Sequence, residues 1–253
     1  MVRGLDKFKS YFANFTGQYA LIGGTACAIA FESIGQEFRA TQDLDIVLHI
    51  EARTSDFDRT LWQFINDGDY QTKEKGSNDR KLYRFRNPKI TDFPLQIELF
   101  SKDIGILQAP DTMRFTPIPT DEELSSLSAI LMDDIYYELV IENFHTIDEI
   151  SVVKSEYLIP LKVKAWTNLS EERQSGRNVQ SEKIEKHRKD IFRLFVLLAP
   201  NQQIPLPTQI QDDMKEGLRR LEIENNIDQS CRYFAHRPIE EVLESLRTIY
   251  GLQ

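Results

Sequence analysis

The sequence is poor in cysteine and has no hydrophobic run long enough to cross a membrane. Its two cysteines, Cys27 and Cys231, lie too far apart for a metal-ligand or redox spacing, and we expect both to be reduced and buried. The longest nearly apolar stretch, Ala20 to Phe31, has 12 residues, whereas a helix that spans a bilayer needs about 20. The first residues contain no apolar signal region. We therefore expect a cytoplasmic protein with no membrane partner.

An excess of positive charge is also absent. The formal net charge of the 253 residues is −9 at pH 7, which argues against a protein that coats nucleic acid non-specifically, because phosphate contacts need Lys and Arg. The charge is nevertheless uneven: residues 71–90 carry seven Lys or Arg and two acids, and residues 121–150 carry nine acids and no Lys or Arg. This asymmetry is typical of a polyanion-binding edge on an acidic protein, and a solvated hairpin beside a solvated helix also explains it.

Strand and helix patterns alternate along the first hundred residues. Tyr19 to Ile22 is a short apolar run that ends in a Gly-Gly pair and is followed by a compact apolar helix. A capping box at Ser55 opens another helix, which Gly68 ends. Further strands are predicted at Asp43 to Ile50, Lys81 to Arg86 and Leu95 to Phe100. Together these elements predict an α/β (α+β) fold with a small mixed sheet flanked by helices.

The rest of the chain has a mostly helical pattern. We place a domain boundary near residue 118, within a proline-rich segment, which gives an N-terminal domain at 1–118 and a helical domain at 119–253. A short strand is possible at Ile150 to Lys154. Pro160 allows two interpretations: a helix that starts at Pro160, or a helix that starts at Ser155 and bends. The predicted helices lie at about 121–144, 155–169, 181–198, 209–224 and 238–250.

The strongest chemical signal is the turn Gly23-Gly24-Thr25 between the first strand and the first apolar helix. Glycines allow a close approach to backbone N–H groups at a helix N-terminus, where phosphate oxygens bind favourably. The Thr25 side chain adds a hydroxyl group at the same place. This turn therefore predicts a phosphate-binding position.

Two aspartates follow on the next strand. Asp43 and Asp45 project from one face because side chains alternate along a strand, and Glu98 shares that parity on a later strand. Carboxylates that face one small volume repel each other unless a cation lies between them. Mg²⁺ fits best, because it prefers oxygen ligands and commonly binds carboxylates together with substrate phosphates. The sequence therefore predicts a magnesium site at Asp43 and Asp45, to which Glu98 could supply a third carboxylate.

In this order, the motifs resemble those of the DNA polymerase beta-type nucleotidyltransferase superfamily. Within it, the chain resembles the AbiEii/AbiGii toxin family of type IV toxin–antitoxin and abortive-infection systems. The similarity spans most of residues 20–198, and a threonine stands at Thr25 where superfamily members commonly have serine. The motifs that carry it are Leu21 to Ala26, Arg39 to Ile46, Leu158 to Trp166 and Lys186 to Leu194.

The resemblance implies a nucleotidyltransferase-fold catalytic domain followed by a helical domain that closes the nucleotide site. It implies that Asp43, Asp45 and Glu98 bind two magnesium ions, and that the turn of Gly23, Gly24 and Thr25 contacts the triphosphate. Lys162 would contact nucleotide phosphates, and Asp190 would close the site from the helical domain. It further implies an NTP substrate, a tRNA acceptor and an antitoxin partner.

Other interpretations remain open at this stage. On helix periodicity alone, Lys162 is a solvent-facing lysine, and Asp190 forms a local contact with His187 or Lys186. The enzyme could instead modify a small molecule, as antibiotic-type nucleotidyltransferases do, or a protein. A catalytically silent nucleotide-binding protein that acts by association belongs to a different class.

Overall fold

The structure is a computed structural model that describes residues 2–77, 80–101, 116–117, 130, 133–224 and 237–252. It divides into two compact units. The first comprises Met1–Met132 and Tyr137–Lys154, and it contains all the strands described. The second comprises Asp133–Tyr136 and Ser155–Gln253, and it is helical where it is described. The predicted fold class, a mixed sheet with helices followed by a helical part, is confirmed.

The first unit includes a segment, Tyr137–Lys154, that follows the proline-rich region of the chain. The predicted boundary at residue 118 lies outside the described residues. A hairpin at 144–153 belongs to the first unit, since its second strand pairs with the first strand of the sheet through Leu21 and Val152. A long-range strand pairing of this kind leaves no mark on local periodicity. The boundary near residue 118 stays a prediction.

The first unit is built on one mixed sheet of eight strands in the order β6-β3-β4-β5-β2-β1-β8-β7. Strand β2 lies in its interior, antiparallel to β1 and parallel to β5, and β5 in turn is antiparallel to β4. The strands are β1 Tyr19–Ile22, β2 Asp43–Leu48, β3 Gln71–Ser77, β4 Arg80–Arg86, β5 Gln96–Ser101, β6 Thr116–Pro117, β7 Phe144–Ile147 and β8 Ile150–Val153.

This unit contains the helices α1 Leu5–Phe12, α2 Gly23–Glu32 and α3 Ser55–Gly68, and the last two lie where the sequence predicts helices. Thr54 caps α3, because its hydroxyl accepts a hydrogen bond from the backbone N–H of Phe57. Aromatic rings from α1 and α3 pack against one another in the core, for example Phe12 and Phe64 at 5.5 Å between ring centroids. This packing supports the sheet that carries the predicted site.

Helix α4, Asp134–Glu142, is followed in the second unit by α5 Ser155–Gln174, α6 Ser181–Phe195, α7 Thr208–Ile223 and α8 Ile239–Ile249. Helix α5 begins at Ser155 and has Pro160 in its interior, which decides between the two interpretations of that proline. Of the predicted helix at 121–144, residues 134–142 are helical and most of the preceding part lies outside the described residues. None of the helices within the described ranges is both long and apolar enough to span a membrane.

Candidate functional site

The Gly-Gly-Thr turn joins β1 directly to α2. Gly23 has φ 71°, a left-handed conformation that glycine adopts without strain. Gly24 is restricted by space instead: a Cβ atom there would lie 2.7 Å from Thr41 Oγ1 and 3.4 Å from Arg39 Nη2. Glycine is favoured at position 23 by the left-handed backbone and at position 24 by the lack of space for a side chain. Both residues allow the chain to turn tightly into the N-terminus of α2.

Thr25 does not expose its hydroxyl at this turn. The side chain is buried, and its Oγ1 donates a hydrogen bond of 2.7 Å to the carbonyl oxygen of Asp43. The expectation that this hydroxyl donates to a phosphate is therefore corrected, because its proton is already used inside the protein. Phosphate contact by the backbone N–H groups of Gly23, Gly24 and Thr25 stays a prediction.

The two aspartates lie beside this turn. In the antiparallel pair of β1 and β2, Asp45 is the register partner of Ile22, the residue immediately before α2. Asp43 and Asp45 are half-buried, whereas Leu44 and Ile46 between and after them are buried. The alternation expected from the sequence thus places both carboxylates on one face, next to a helix N-terminus.

Glu98 lies on the same face as Asp45. The parallel register of β2 and β5 makes Asp45 and Glu98 direct partners, and the antiparallel register of β5 and β4 makes Glu98 the partner of Arg84. Arg84 Nε donates to Glu98 Oε1 at 2.8 Å, and both side chains are 1% exposed. A buried, charge-assisted contact of this kind fixes the Glu98 carboxylate toward β4.

A second arginine repeats the arrangement two residues along the same strands. Gln96 is the register partner of Asp43 on one side and of Arg86 on the other. Arg86 Nε donates to Gln96 Oε1 at 2.6 Å. Gln96 Nε2 also donates to Glu98 Oε1 at 3.2 Å, which links the two rows.

The chemistry of these donors tests the predicted magnesium site. Asp43 and Asp45 suit Mg²⁺, which often takes one or two protein carboxylates and completes its coordination with water and substrate phosphates. Across the described part of the chain, no group of three or more His, Cys, Asp or Glu side chains is placed to hold a metal ion. Asp43 and Asp45 have the oxygen donors that Mg²⁺ prefers. Glu98 as a third metal ligand stays a prediction.

In the segment 71–90, the basic residues whose side chains are described contact other residues of the protein. Arg84 and Arg86 contact β5, and Lys89 Nζ lies 2.6 Å from Asp69 Oδ2. The other four basic residues, Lys73, Lys75, Arg80 and Lys81, lie toward the far end of the β3–β4 hairpin, and only their backbone is described. The polyanion-binding edge stays a prediction.

Lys162 and Asp190 lie together inside the helical unit. Lys162 Nζ on α5 donates to Asp190 Oδ2 on α6 at 3.0 Å, and the two side chains are 1% and 0% exposed. The interpretation of Lys162 as a solvent-facing lysine is therefore wrong. Arg193 Nη1 lies 3.8 Å from the other Asp190 oxygen, Oδ1. Contact of this pair with a nucleotide stays a prediction.

Sequence reasoning did not single out Arg84, Gln96 or Arg39. The alternation of β4 gives the face of Arg84, but its partner depends on the β4–β5 register, which local sequence does not encode. Arg39 belongs to the motif Arg39 to Ile46, but only the folded structure shows that its side chain lies close to Gly24. A surface cavity lined in part by Arg3, Lys7 and Asp92 includes none of the predicted site residues.

Comparisons with known proteins gave limited similarity. No family model matches the chain, and no curated protein matches it. One similar solved structure is a crystal structure of an antigenic nucleotidyltransferase-like protein from Paracoccidioides brasiliensis, at 15% identity and a TM-score of 0.41, over 92% of this chain and 98% of that chain. Another is the Megavirus polyadenylate synthase, at 11% identity and a TM-score of 0.40, over 87% of this chain and 36% of that chain. Membership of the AbiEii/AbiGii family stays a prediction from the motifs.

Proposed function

We propose that the chain is a nucleotidyltransferase, which moves a nucleoside monophosphate from an NTP to an acceptor hydroxyl and releases pyrophosphate. The observation that carries the proposal is the juxtaposition of two half-buried aspartates with the N-terminus of α2. Asp45 pairs with Ile22 immediately before the helix, and the Thr25 hydroxyl holds the backbone of Asp43. Phosphate oxygens and a cation are the ligands that suit these two neighbouring elements.

The glycine turn is the proposed phosphate-binding element. Helix α2 has ten residues, and Ile22 at its N-cap position makes no side-chain cap hydrogen bond. The first backbone N–H groups of a helix have no partner within the helix, and the positive end of the helix dipole favours an anion there. At Gly24 the Thr41 side chain leaves no room for a Cβ atom, so glycine is required at this point of the turn. A triphosphate bound here has its charge beside Asp43 and Asp45.

In the proposed reaction, the acceptor oxygen attacks the α-phosphorus in line with the departing pyrophosphate. The new O–P bond forms as the bond between the α-phosphorus and its bridging oxygen breaks, and an aspartate oxygen of Asp43 or Asp45 accepts the hydroxyl proton. When bound by these two residues, Mg²⁺ supplies charge neutralisation at the phosphate oxygens. The protein itself mainly positions the reactants, and positioning is a large share of catalysis in phosphoryl-type transfers.

The proposed acceptor and the proposed protein partner rest on the resemblance to toxin-type enzymes. It makes the 3′ end of a tRNA the proposed acceptor and an antitoxin protein the proposed partner. The residues offered for the RNA are those at 73–81 on the β3–β4 hairpin, because the other basic residues of that segment contact the protein. Lys162 and Asp190 are proposed to take part in nucleotide binding from the helical unit.

The test is a transfer assay with each ribonucleoside triphosphate labelled at the α-phosphate, in the presence of Mg²⁺ and total cellular RNA. We expect label in small RNA together with release of pyrophosphate. A parallel reaction with γ-labelled NTP is the control, since its label should appear in pyrophosphate and not in the acceptor. Label in protein or in a small molecule identifies those alternative acceptors. Absence of magnesium-dependent pyrophosphate release with every NTP contradicts the proposal and favours a silent nucleotide-binding protein.

A further inference from the structure

Strand β7 forms one edge of the mixed sheet, and among the described strands only β8 pairs with it. In an antiparallel pair, every second residue points its backbone N–H and C=O groups away from the partner strand. The carbonyl oxygen of Asn143 accepts the N–H of Lys154 on the β8 side at 3.0 Å, so Phe144 and Thr146 are the residues whose backbone groups point outward. Within the described ranges, neither residue has a backbone hydrogen bond on that outer side.

The residues of the β7 edge do not prevent pairing with another strand. Natural sheets often protect an edge with proline, lysine or a β-bulge. The four residues of β7, Phe144–Ile147, include neither proline nor lysine, and their register with β8 contains no bulge. His145 and Thr146 are exposed. In the part of the chain that the structure describes, this edge can therefore accept a further strand through main-chain hydrogen bonds, which is the geometry of β-strand addition.

Acidic residues lie at both ends of β7. Glu142 precedes the strand and is exposed, and Asp148 and Glu149 form the turn that follows it, with side chains 79% and 64% exposed. Lys9 Nζ lies 2.7 Å from Asp148 Oδ1 and 3.2 Å from Glu149 Oε2, so one cation faces the two acids of the turn. These acids belong to the segment 121–150, which carries nine acids and no Lys or Arg.

The acids at the two ends decide which strand the β7 edge can bind. If two copies of the chain paired antiparallel through the outward groups of both, Phe144 of each copy would face Thr146 of the other. Glu142 of each copy would then lie near Asp148 of the other, and like charges that face each other across two strands are destabilising. We propose that the β7 edge binds, as an added strand, an extended segment of another protein that carries Lys or Arg at both ends. The main chain supplies the hydrogen bonds, and the acids select the basic ends.

The experiment measures the binding of blocked peptides to the full chain by isothermal titration calorimetry. The probe peptide has the centre Val-Thr-Val-Thr and a pair of lysines at each end, and a matched peptide has glutamates in place of the lysines. A third peptide keeps the lysines but carries N-methyl groups on its central amides, which removes hydrogen-bond donors and leaves the charge. We expect the lysine peptide to bind at least about tenfold more tightly than either control, because charge and main-chain hydrogen bonds both contribute.

Two variants at one position locate the binding to the β7 edge. Thr146→Pro removes an outward N–H group and leaves the hydrogen bonds to β8 in place, since proline is tolerated on edge strands. It should weaken binding of the lysine peptide by at least about tenfold, because the donor is lost and the proline ring blocks the approach. Thr146→Val keeps the N–H group and should bind the peptide as the wild type does.

A wild type that does not bind the lysine peptide overturns the proposal. So does equal binding of the glutamate peptide or the N-methylated peptide, and so does undiminished binding by a folded Thr146→Pro variant. A wild type that forms dimers, which Thr146→Pro separates, also overturns it, since a second copy then occupies the edge. The three peptides are compared on the wild-type chain, so the test stays decisive if Thr146→Pro fails to fold. None of these measurements requires nucleotide transfer.

Discussion

The Thr25 hydroxyl donates a hydrogen bond of 2.7 Å to the carbonyl oxygen of Asp43. This contact ties the first turn of α2 to the first residue of β2, two elements that are separated by the residues 33–42. The glycine turn and the aspartate strand are thereby held in a fixed relation, although neither side chain of the proposed cation site takes part. Thr25 is in this sense a positioning residue.

Replacing Thr25 by valine should separate the effect of the hydrogen bond to Asp43 from the effect of side-chain packing. Thr25→Val keeps the branched shape but removes the hydroxyl, and we expect a loss of about 0.5–1.5 kcal/mol in the free energy of unfolding, the usual net value of one hydrogen bond. Thr25→Ser retains the hydroxyl and is the control. Denaturant unfolding and Mn²⁺ affinity should both follow the order wild type, serine, valine. A valine variant with undiminished Mn²⁺ affinity contradicts the positioning role.

Gly24→Ala should be destabilising because of the space around its Cβ atom. The atom would lie 2.7 Å from Thr41 Oγ1, and overpacking of this kind usually costs about 1–3 kcal/mol. In a Thr41→Ala background the nearest obstructing atom is gone, so the same substitution should cost less. A double-mutant cycle measured by thermal unfolding checks this coupling. Equal costs in both backgrounds would show that the clash is not with Thr41.

The buried ion pair of the helical unit allows a comparison of two Lys→Met substitutions. Lys162→Met leaves Asp190 in the interior without this partner, and we expect a loss of about 3–5 kcal/mol. Lys89→Met breaks an exposed pair with Asp69, in which the side chains are 75% and 57% exposed, and should cost about 0–1 kcal/mol. Chemical denaturation measures both. Similar losses of unfolding free energy for the two substitutions would contradict the claim that burial makes the Lys162–Asp190 pair more important.

A role of Lys162 in nucleotide binding needs a separate readout. The double variant Lys162→Met with Asp190→Leu should recover much of the lost stability, since no buried charge of the pair remains. If Lys162 also contacts nucleotide phosphates, the recovered protein will still show a raised KM for NTP. A wild-type KM in that stable variant limits the pair to a structural role.

Tyr137 gives a prediction for alkaline pH. Its hydroxyl donates to the Leu48 carbonyl oxygen at 2.8 Å, and burial raises the pKa of Tyr137 to about 12. A raised folded-state pKa means that the stabilisation is complete below the unfolded pKa of about 10 and is lost as the pH rises from about 10 to about 12. Tyr137→Phe should be less stable than wild type at neutral pH, and the difference should shrink across that window. Urea unfolding of the wild type and of Tyr137→Phe, at neutral pH and at the upper end of that window, measures the difference in the free energy of unfolding. A difference that does not change with pH contradicts the claim that burial raises the pKa of Tyr137.

The sequence predicted the parts of the fold that local pattern encodes. The alternation of Asp43, Leu44 and Asp45 predicted which side chains share a face, and the apolar run before Gly23 predicted β1. Strand β3 at Gln71–Ser77 was not among the strands predicted from apolar pattern, although a hairpin at 71–90 was one interpretation of the charge there. Its residues lack apolar alternation, and it is a strand through its pairing with β4 and β6. A strand at Ile150 to Lys154 was predicted as possible, but its pairing with β1 was not, because local sequence does not encode which strands pair.

The candidate site shows the same limit at the level of single side chains. Parity placed Glu98 on the face of Asp45 but could not identify its ion-pair partner, since Arg84 lies on a different strand and meets it only through register. Lys162 was assigned to the nucleotide by resemblance and to solvent by periodicity. Its contact with Asp190 depends on the packing of α5 against α6, which neither argument describes.

The most direct test of the central claim is nucleotide transfer by Asp45→Asn, which keeps the shape of the side chain and removes its charge. The account predicts a fall in magnesium-dependent turnover of at least about a hundredfold, comparable to the loss of one preorganised electrostatic group. Because Asp43 and Asp45 repel each other without a cation, the melting temperature should be unchanged or slightly raised. Asp56→Asn, at an exposed position of α3, is the control and should transfer as the wild type does. Undiminished transfer by a folded Asp45→Asn variant would contradict the account.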